Sequence, residues 1–176
     1  MAFYIVAKGR LTQYSFSYLD MSDPVRLEPT LIHGERKHQH QDHHSRDYYA
    51  YELMTKGVQT LSPANFISEA RRLMEEKKFH HLPLVIDHKL TGMISYQDLV
   101  NLKDDSNLER VSHHMSRLVL CASDTTPLRH VVDVFYHENI NALPLIDDEF
   151  KLVGIITHRD ILRWLVDQKK CIKEYL

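Results

Sequence analysis

The chain has 176 residues, 43% hydrophobic and 26% charged, which places it in the ordinary globular range and excludes disorder along its whole length. Lys plus Arg number 22 against 24 Asp plus Glu, so no strong field points to nucleic acid or to an acidic lipid surface as partner. Cys121 and Cys171 are the only cysteines and lack a metal-type spacing, which argues against a disulfide framework and fits a reducing compartment.

In chain order, the opening MAFYIVAKGRL has too short an apolar run for a signal peptide. No stretch approaches the roughly 20 apolar residues of a membrane span, so a cytoplasmic location is expected, with neither membrane nor nucleic acid as partner. Residues 1–47 form an N-terminal extension with short apolar stretches around Tyr4 to Val6 and Tyr14 to Leu19, then the polar run EPTLIHGERKHQHQDHHSRD. In that run His33, His38, His40, His43 and His44 supply enough nitrogens for zinc, nickel or copper. His40 and His44 share a face if the run is helical, His38 and His40 if it is extended. No cysteine or fixed ligand spacing accompanies them, and polar runs of this kind seldom order themselves. A solvated loop is therefore the expectation, with metal binding the lesser alternative.

Farther on, Ile67, Ala70, Leu73 and Met74 recur at helical spacing with Arg71, Arg72, Glu75 and Glu76 between them, predicting an amphipathic helix near 64–78. The apolar runs Leu82 to Ile86 and Leu90 to Ile94 flank a polar turn at Asp87 to Lys89 and read as neighbouring strands, with a second helix from about Tyr96. The same order then returns. Leu128, Val131, Val132 and Phe135 predict a helix, with Thr126 as its N-cap and Pro127 at its first position. A last helix from about His158 carries Ile161, Leu162, Trp164, Leu165 and Val166; the Trp164 and Leu165 stripe is expected in the core, and Lys169, Lys170 and Lys173 at a solvated end.

The recurrence is a duplication. HLPLVIDHKLTGMISYQDLV answers ALPLIDDEFKLVGIITHRDIL, with Leu82, Pro83 and Leu84 matching Leu143, Pro144 and Leu145 at an offset of 61. The offset also pairs Met54 with Met115 and Ser62 with Ser123, and carries Ile67, Ala70 and Met74 onto Leu128, Val131 and Phe135. One residue inserted before Gly154 makes it 62, so that Gly92, Ile94 and Asp98 match Gly154, Ile156 and Asp160. Each copy reads β-α-β-β-α and cannot bury both faces of its sheet alone. The expected fold is α/β (α+β), two copies packed sheet to sheet about a pseudo-twofold axis with clefts where they meet. The expected boundaries are 48–108 and 109–168, with a C-terminal tail at 169–176.

Both copies carry Gly-apolar-apolar-Ser/Thr-x-x-Asp where a strand ends and a helix begins: Gly92 to Asp98 and Gly154 to Asp160. Ser/Thr-x-x-Asp closely resembles a capping box, which satisfies unpaired backbone N–H groups. A ligand reading adds to it. A carboxylate there can accept hydrogen bonds from two vicinal ribose hydroxyls, the N–H groups and helix dipole suit a phosphate, and glycine lets backbone approach a ligand.

The duplicated order, the Leu-Pro-Leu strand entries and the paired motifs resemble a CBS-domain pair over roughly residues 48 to 168. The resemblance implies a stand-alone, non-catalytic regulatory module that binds AMP, ADP, ATP or a related adenosyl ligand between the copies, often as a homodimer. It needs no other cofactor and acts on a regulated protein the sequence does not identify. By the resemblance, Asp98 and Asp160 hold ribose, Ser95 and Thr157 lie beside ribose and phosphate, and adenine rests near Val58 and Thr60 or near Val119 and Cys121. The family often places a basic residue before Leu-Pro, here His81 in the first copy but Ala142 in the second. Arg159 offers charge-assisted hydrogen bonds to phosphate where the first copy has Gln97. The first-choice site is thus Asp160 and Thr157 with Arg159 and His81.

Two other classes compete. His158-Arg159-Asp160 is similar to a kinase catalytic loop, but Leu165 stands where that loop needs Asn, and the five glycines form no phosphate loop. The stronger rival is a dimerising module without ligand, in which both motifs are only helix caps.

Overall fold

The structure is a computed structural model and describes residues 3–7, 10–19 and 47–173. The histidine-rich run lies outside the described residues. The extension opens with β1 (Phe3–Ala7) and β2 (Arg10–Tyr14), and α1 (Ala50–Leu53) and β3 (Thr55–Lys56) follow. The first copy contributes α2 (Ile67–Lys77), β4 (His81–Ile86), β5 (Lys89–Ser95) and α3 (Tyr96–Val100). The second contributes β6 (Leu118–Ser123), α4 (Leu128–His137), β7 (Ala142–Ile146), β8 (Leu152–Thr157) and α5 (His158–Lys173).

Local chemistry sets these elements. At the start of α2, Glu69 Oε2 accepts hydrogen bonds from Phe66 N at 2.9 Å and Asn65 Nδ2 at 2.8 Å. These bonds hold the Glu69 carboxyl below its usual range. Ile67, Ala70 and Met74 form the buried face of α2. The β4–β5 turn has Asp87 and His88 at φ 50° and 65°, the left-handed pair whose twist suits a two-stranded ribbon. The longer β7–β8 turn is braced by Asp147 Oδ1, which accepts from Glu149 N and Lys151 N, each at 2.9 Å.

Helix α4 differs from expectation. Pro127, not Thr126, is its N-cap, and the Thr126 hydroxyl is fully buried with no partner among the described residues. Thr126 is held instead through its backbone: its carbonyl accepts from Ala50 N at 2.8 Å and its N–H donates to Ser123 O at 3.0 Å.

The bond to Ala50 belongs to an exchange between the copies. The segment leading into each copy packs on the other one. Ala50 N, Tyr51 N and Leu128 N donate to Thr126 O, Asp124 O and Tyr48 O at 2.8, 2.9 and 2.7 Å. Shifted by the repeat offset, Val111 N, Ser112 N and Ile67 N donate to Asn65 O, Pro63 O and Glu109 O at 2.9, 3.0 and 3.0 Å. Likewise β3 pairs with β8 (Thr55 with Ile155), as Ser116 pairs with Met93. Ala50 accordingly lies in the second copy's core with Leu128, Val131 and Leu143, and Val111 in the first copy's core with Ile67, Leu82 and Ile94.

This exchange explains the motif glycines. A Cβ on Gly92 would lie 2.8 Å from Met115 Sδ and 3.0 Å from Ser116 O; on Gly154 it would meet Met54 Sδ inside contact distance and Thr55 O at 3.2 Å. The space reserved by each glycine is filled by a methionine of the exchanged segment, not left for a ligand.

The main sheet runs β2-β1-β6-β7-β8-β3, and β4-β5 forms the second sheet. Between them lies a third apolar cluster of Val6, Leu90, Val119, Cys121 and Ile146. Strand β1 is integral to the second copy's sheet: it pairs along β6 from Phe3 with Ala122 to Ala7 with Leu118, and Phe16 stacks edge-on against Phe3 at 5.3 Å. The α5 stripe divides. Trp164 packs on the core edge-to-face with Tyr48 at 5.1 Å, whereas Leu162, Leu165 and Val166 are exposed. No helix among the described residues is long and apolar enough to cross a membrane.

Candidate ligand clefts

Two pseudosymmetric clefts form where the copies meet. In the first, of 510 Å³, the β8–α5 junction supplies Thr157, Arg159, Asp160 and Arg163; the end of α2 and the following turn supply Lys77, Lys78, Phe79, His80 and His81. Thr55, Val58, Gln59 and Ile155 complete its walls. One cleft therefore brings together Asp160, Thr157, Arg159, His81 and Val58. Thr60, two residues beyond Val58, is half-buried outside its lining.

Asp160 is 9% exposed, and its Oδ2 accepts from Thr157 N at 2.9 Å and Thr157 Oγ1 at 2.6 Å. The cap is thus made by one carboxylate oxygen. Oδ1 takes no hydrogen bond among the described residues, which leaves an acceptor for a hydroxyl pair. Arg159 and Arg163 are one turn apart on α5, a helix of 16 residues whose N-terminal dipole favours an anion. Across the cleft, burial and then the neighbouring His80 hold His81 below the usual histidine range, partly offset by the Asp98 charge and a hydrogen bond to Asn141.

The second cleft, of 260 Å³, is lined by Ser95, Asp98, Met93 and Ser116 on one side and Asn139 to Ala142 on the other. Asp98 Oδ2 accepts from Ser95 N at 2.8 Å and Ser95 Oγ at 2.7 Å, and Ser95 Oγ accepts from Asp98 N at 3.2 Å, a complete capping box. Its helix α3 has only 5 residues, and the lining contains no Lys or Arg. Val119 and Cys121 line neither cleft: both lie in the inter-sheet cluster beneath β1, at 3% and 0% exposure. Burial pushes the Cys121 thiol up to about 12, so it stays protonated and inert. His81 and Asn141 line both clefts and form the partition between them.

Sequence reasoning missed Lys77, Lys78, Arg163 and Asn141. Arg163 was within reach, three residues beyond Asp160 on one helix face. The lysines and Asn141 gain meaning only once the copies are set face to face. Among the described residues no group of three or more His, Cys, Asp or Glu could hold a metal.

Two faced copies with paired Ser/Thr-x-x-Asp junctions define a tandem-repeat module, the first copy's leading strand being reduced to a single bridge between Leu61 and Leu84. The CBS domain family matches residues 50–105 and 110–167, and the chain belongs to that family. The CBS domain pair of protein MJ0100, in complex with 5′-methylthioadenosine and S-adenosyl-L-methionine, is 27% identical with a TM-score of 0.64, covering 70% of this chain and 99% of that one. CBSX2 in complex with AMP is 26% identical with a TM-score of 0.63, covering 69% and 98%. Inosine-5′-monophosphate dehydrogenase of Methanocaldococcus jannaschii is 35% identical over 115 residues, 65% of this chain and 23% of that one. The chain spans less than half the length of the curated relatives it matches.

Proposed function

We propose that the chain is a non-catalytic regulatory module that binds an adenine nucleotide in the first cleft. Asp160 Oδ1 takes the ribose diol, Thr157 lies beside ribose and phosphate, Arg159 and His81 meet the phosphate, and Val58 and Ile155 border the base. The observation that carries this reading is the convergence of a half-used buried carboxylate with cationic side chains in one cleft. The adenosine ligands named for the MJ0100 pair and for CBSX2 support it. In the second cleft Asp98 and Ser95 serve first as a helix cap.

The cleft takes one wall from each copy, so a bound ligand favours the relative orientation in which both walls reach it. That population shift is the signal a regulated protein reads. The exposed stripe Leu162, Leu165 and Val166 on α5, with Val132 and Tyr136 on α4, is the face for a homodimer. A thermal-shift screen of AMP, ADP, ATP, S-adenosylmethionine and NAD tests the function. A ligand at about 100 times its Kd adds about 2.7 kcal/mol of stability, a clear upward shift. No shift from any of them favours the alternative that the two capped motifs suggest, a dimerising module without ligand.

A further inference from the structure

We propose that the first cleft selects a nucleoside triphosphate, with Lys77, Lys78 and Arg163 reading the phosphates beyond the first. This rests on the adenine-nucleotide reading of that cleft. Four permanent cations, Lys77, Lys78, Arg159 and Arg163, line it against a single carboxylate, Asp160, and none of the four is paired with an acid among the described residues. They stand on both walls: the arginines on successive turns of α5, the lysines at the end of α2. One phosphate cannot engage all four charges, whereas a triphosphate chain offers a phosphate group to each wall and more.

Lys78 adds an independent observation. It ends α2 in the left-handed conformation, at φ 58°, where glycine or asparagine is the natural choice. The matching residue that follows α4 is Asn139, at φ 51°, and it lines the cleft that has no Lys or Arg. The less favourable residue stands only where its charge faces the cationic cleft, the pattern expected of backbone strain kept for a binding role.

The test titrates adenosine, AMP, ADP and ATP into the full chain by calorimetry, then into Lys78→Asn, which borrows the residue the second copy uses at this backbone position. One further charge-assisted contact per phosphate corresponds to about tenfold or more in affinity, so affinity climbs from AMP to ATP. Lys78→Asn folds at least as stably and lowers the ATP-to-AMP ratio by about tenfold. AMP binding as tightly as ATP, or an unchanged ratio in Lys78→Asn, overturns the proposal. Failure of all four to bind overturns the adenine-nucleotide reading itself.

A second observation carries a separate inference. Gly57, Val58 and Gln59 form a wall of the first cleft, with Gly57 turning at φ 63°. Their matches Leu118, Val119 and Leu120 run straight in β6, paired with Ala7, Val6 and Ile5 of β1, and line neither of the two clefts. We infer that β1 commits this wall of the second copy to the sheet, so that each chain takes one nucleotide. Calorimetry with ATP then gives one equivalent per chain. Hydrogen exchange under saturating ATP slows at 55–59 and 157–163 and is unchanged at 118–122. Two equivalents, or new protection at 118–122, overturns it; no ATP binding at all speaks against the functional reading instead.

Discussion

Replacing Gly154 with alanine tests the segment exchange at its tightest contact. The new methyl group meets Met54 Sδ inside contact distance and the Thr55 carbonyl at 3.2 Å, so either the methionine turns away or β3 shifts off β8. Overpacking of this kind costs about 1–3 kcal/mol. Met54→Ala alone removes a half-buried side chain packed against the second copy's core, a loss of about 2 kcal/mol. In the double variant the alanine methyl at 154 enters the space Met54 leaves. The combined cost then falls below the sum by about 1–2 kcal/mol, with the residual set by the Thr55 carbonyl. Pairing Gly154→Ala with Met115→Ala, which touches the other glycine, is additive within about 0.5 kcal/mol. Urea unfolding of the three single and two double variants reads these terms from midpoints at constant slope. Additivity of Gly154→Ala with Met54→Ala refutes the reasoning, because it means that the two side chains do not share the space.

Thr126→Val replaces a buried hydroxyl that has no partner among the described residues with a methyl, and is neutral or stabilising by about 1 kcal/mol in thermal unfolding; a loss of that size contradicts the account. Ser95→Ala removes the acceptor for Asp98 N and costs about 0.5–2 kcal/mol, read by chemical unfolding. His81 and His130 are each held below the ordinary histidine range, by burial first and then by His80 and Arg129 respectively. The unfolded chain therefore binds more protons than the folded one as pH falls through about 6.5, and stability declines there. Urea midpoints between pH 7.5 and 5.5 show that decline, and the His81→Gln, His130→Gln double variant flattens it.

The copy order, the short helix α3 and the motif aspartates were legible because duplication repeats the signal, and α2, α4 and α5 because apolar spacing of 3.6 is strong over ten or more residues. The exchange of leading segments was not, since its hydrogen bonds join backbone atoms; its trace was the match of Met54 with Met115. Thr126-Pro127 reads as a cap, yet the exchanged Ala50 draws the Thr126 backbone into another bond. The strands β1 and β2 went unforeseen because Arg10–Tyr14 is almost wholly exposed, leaving no alternating apolar pattern, and β1 finds its main partner more than a hundred residues away. Val119 and Cys121 follow from that pairing. The Thr157 and Asp160 end of the first cleft was readable from one motif, but its lysines come from the opposite copy.

The most direct measurement is nucleotide calorimetry on Asp160→Asn beside Asp98→Asn. Asparagine keeps an oxygen for the Thr157 cap while turning the second oxygen into a donor, so folding stability should stay within about 1 kcal/mol. The account predicts that Asp160→Asn loses nucleotide binding at least tenfold, the equivalent of about 1.4 kcal/mol, while Asp98→Asn binds as the parent chain does. A folded Asp160→Asn with parental affinity contradicts it and leaves Asp160 as a helix cap.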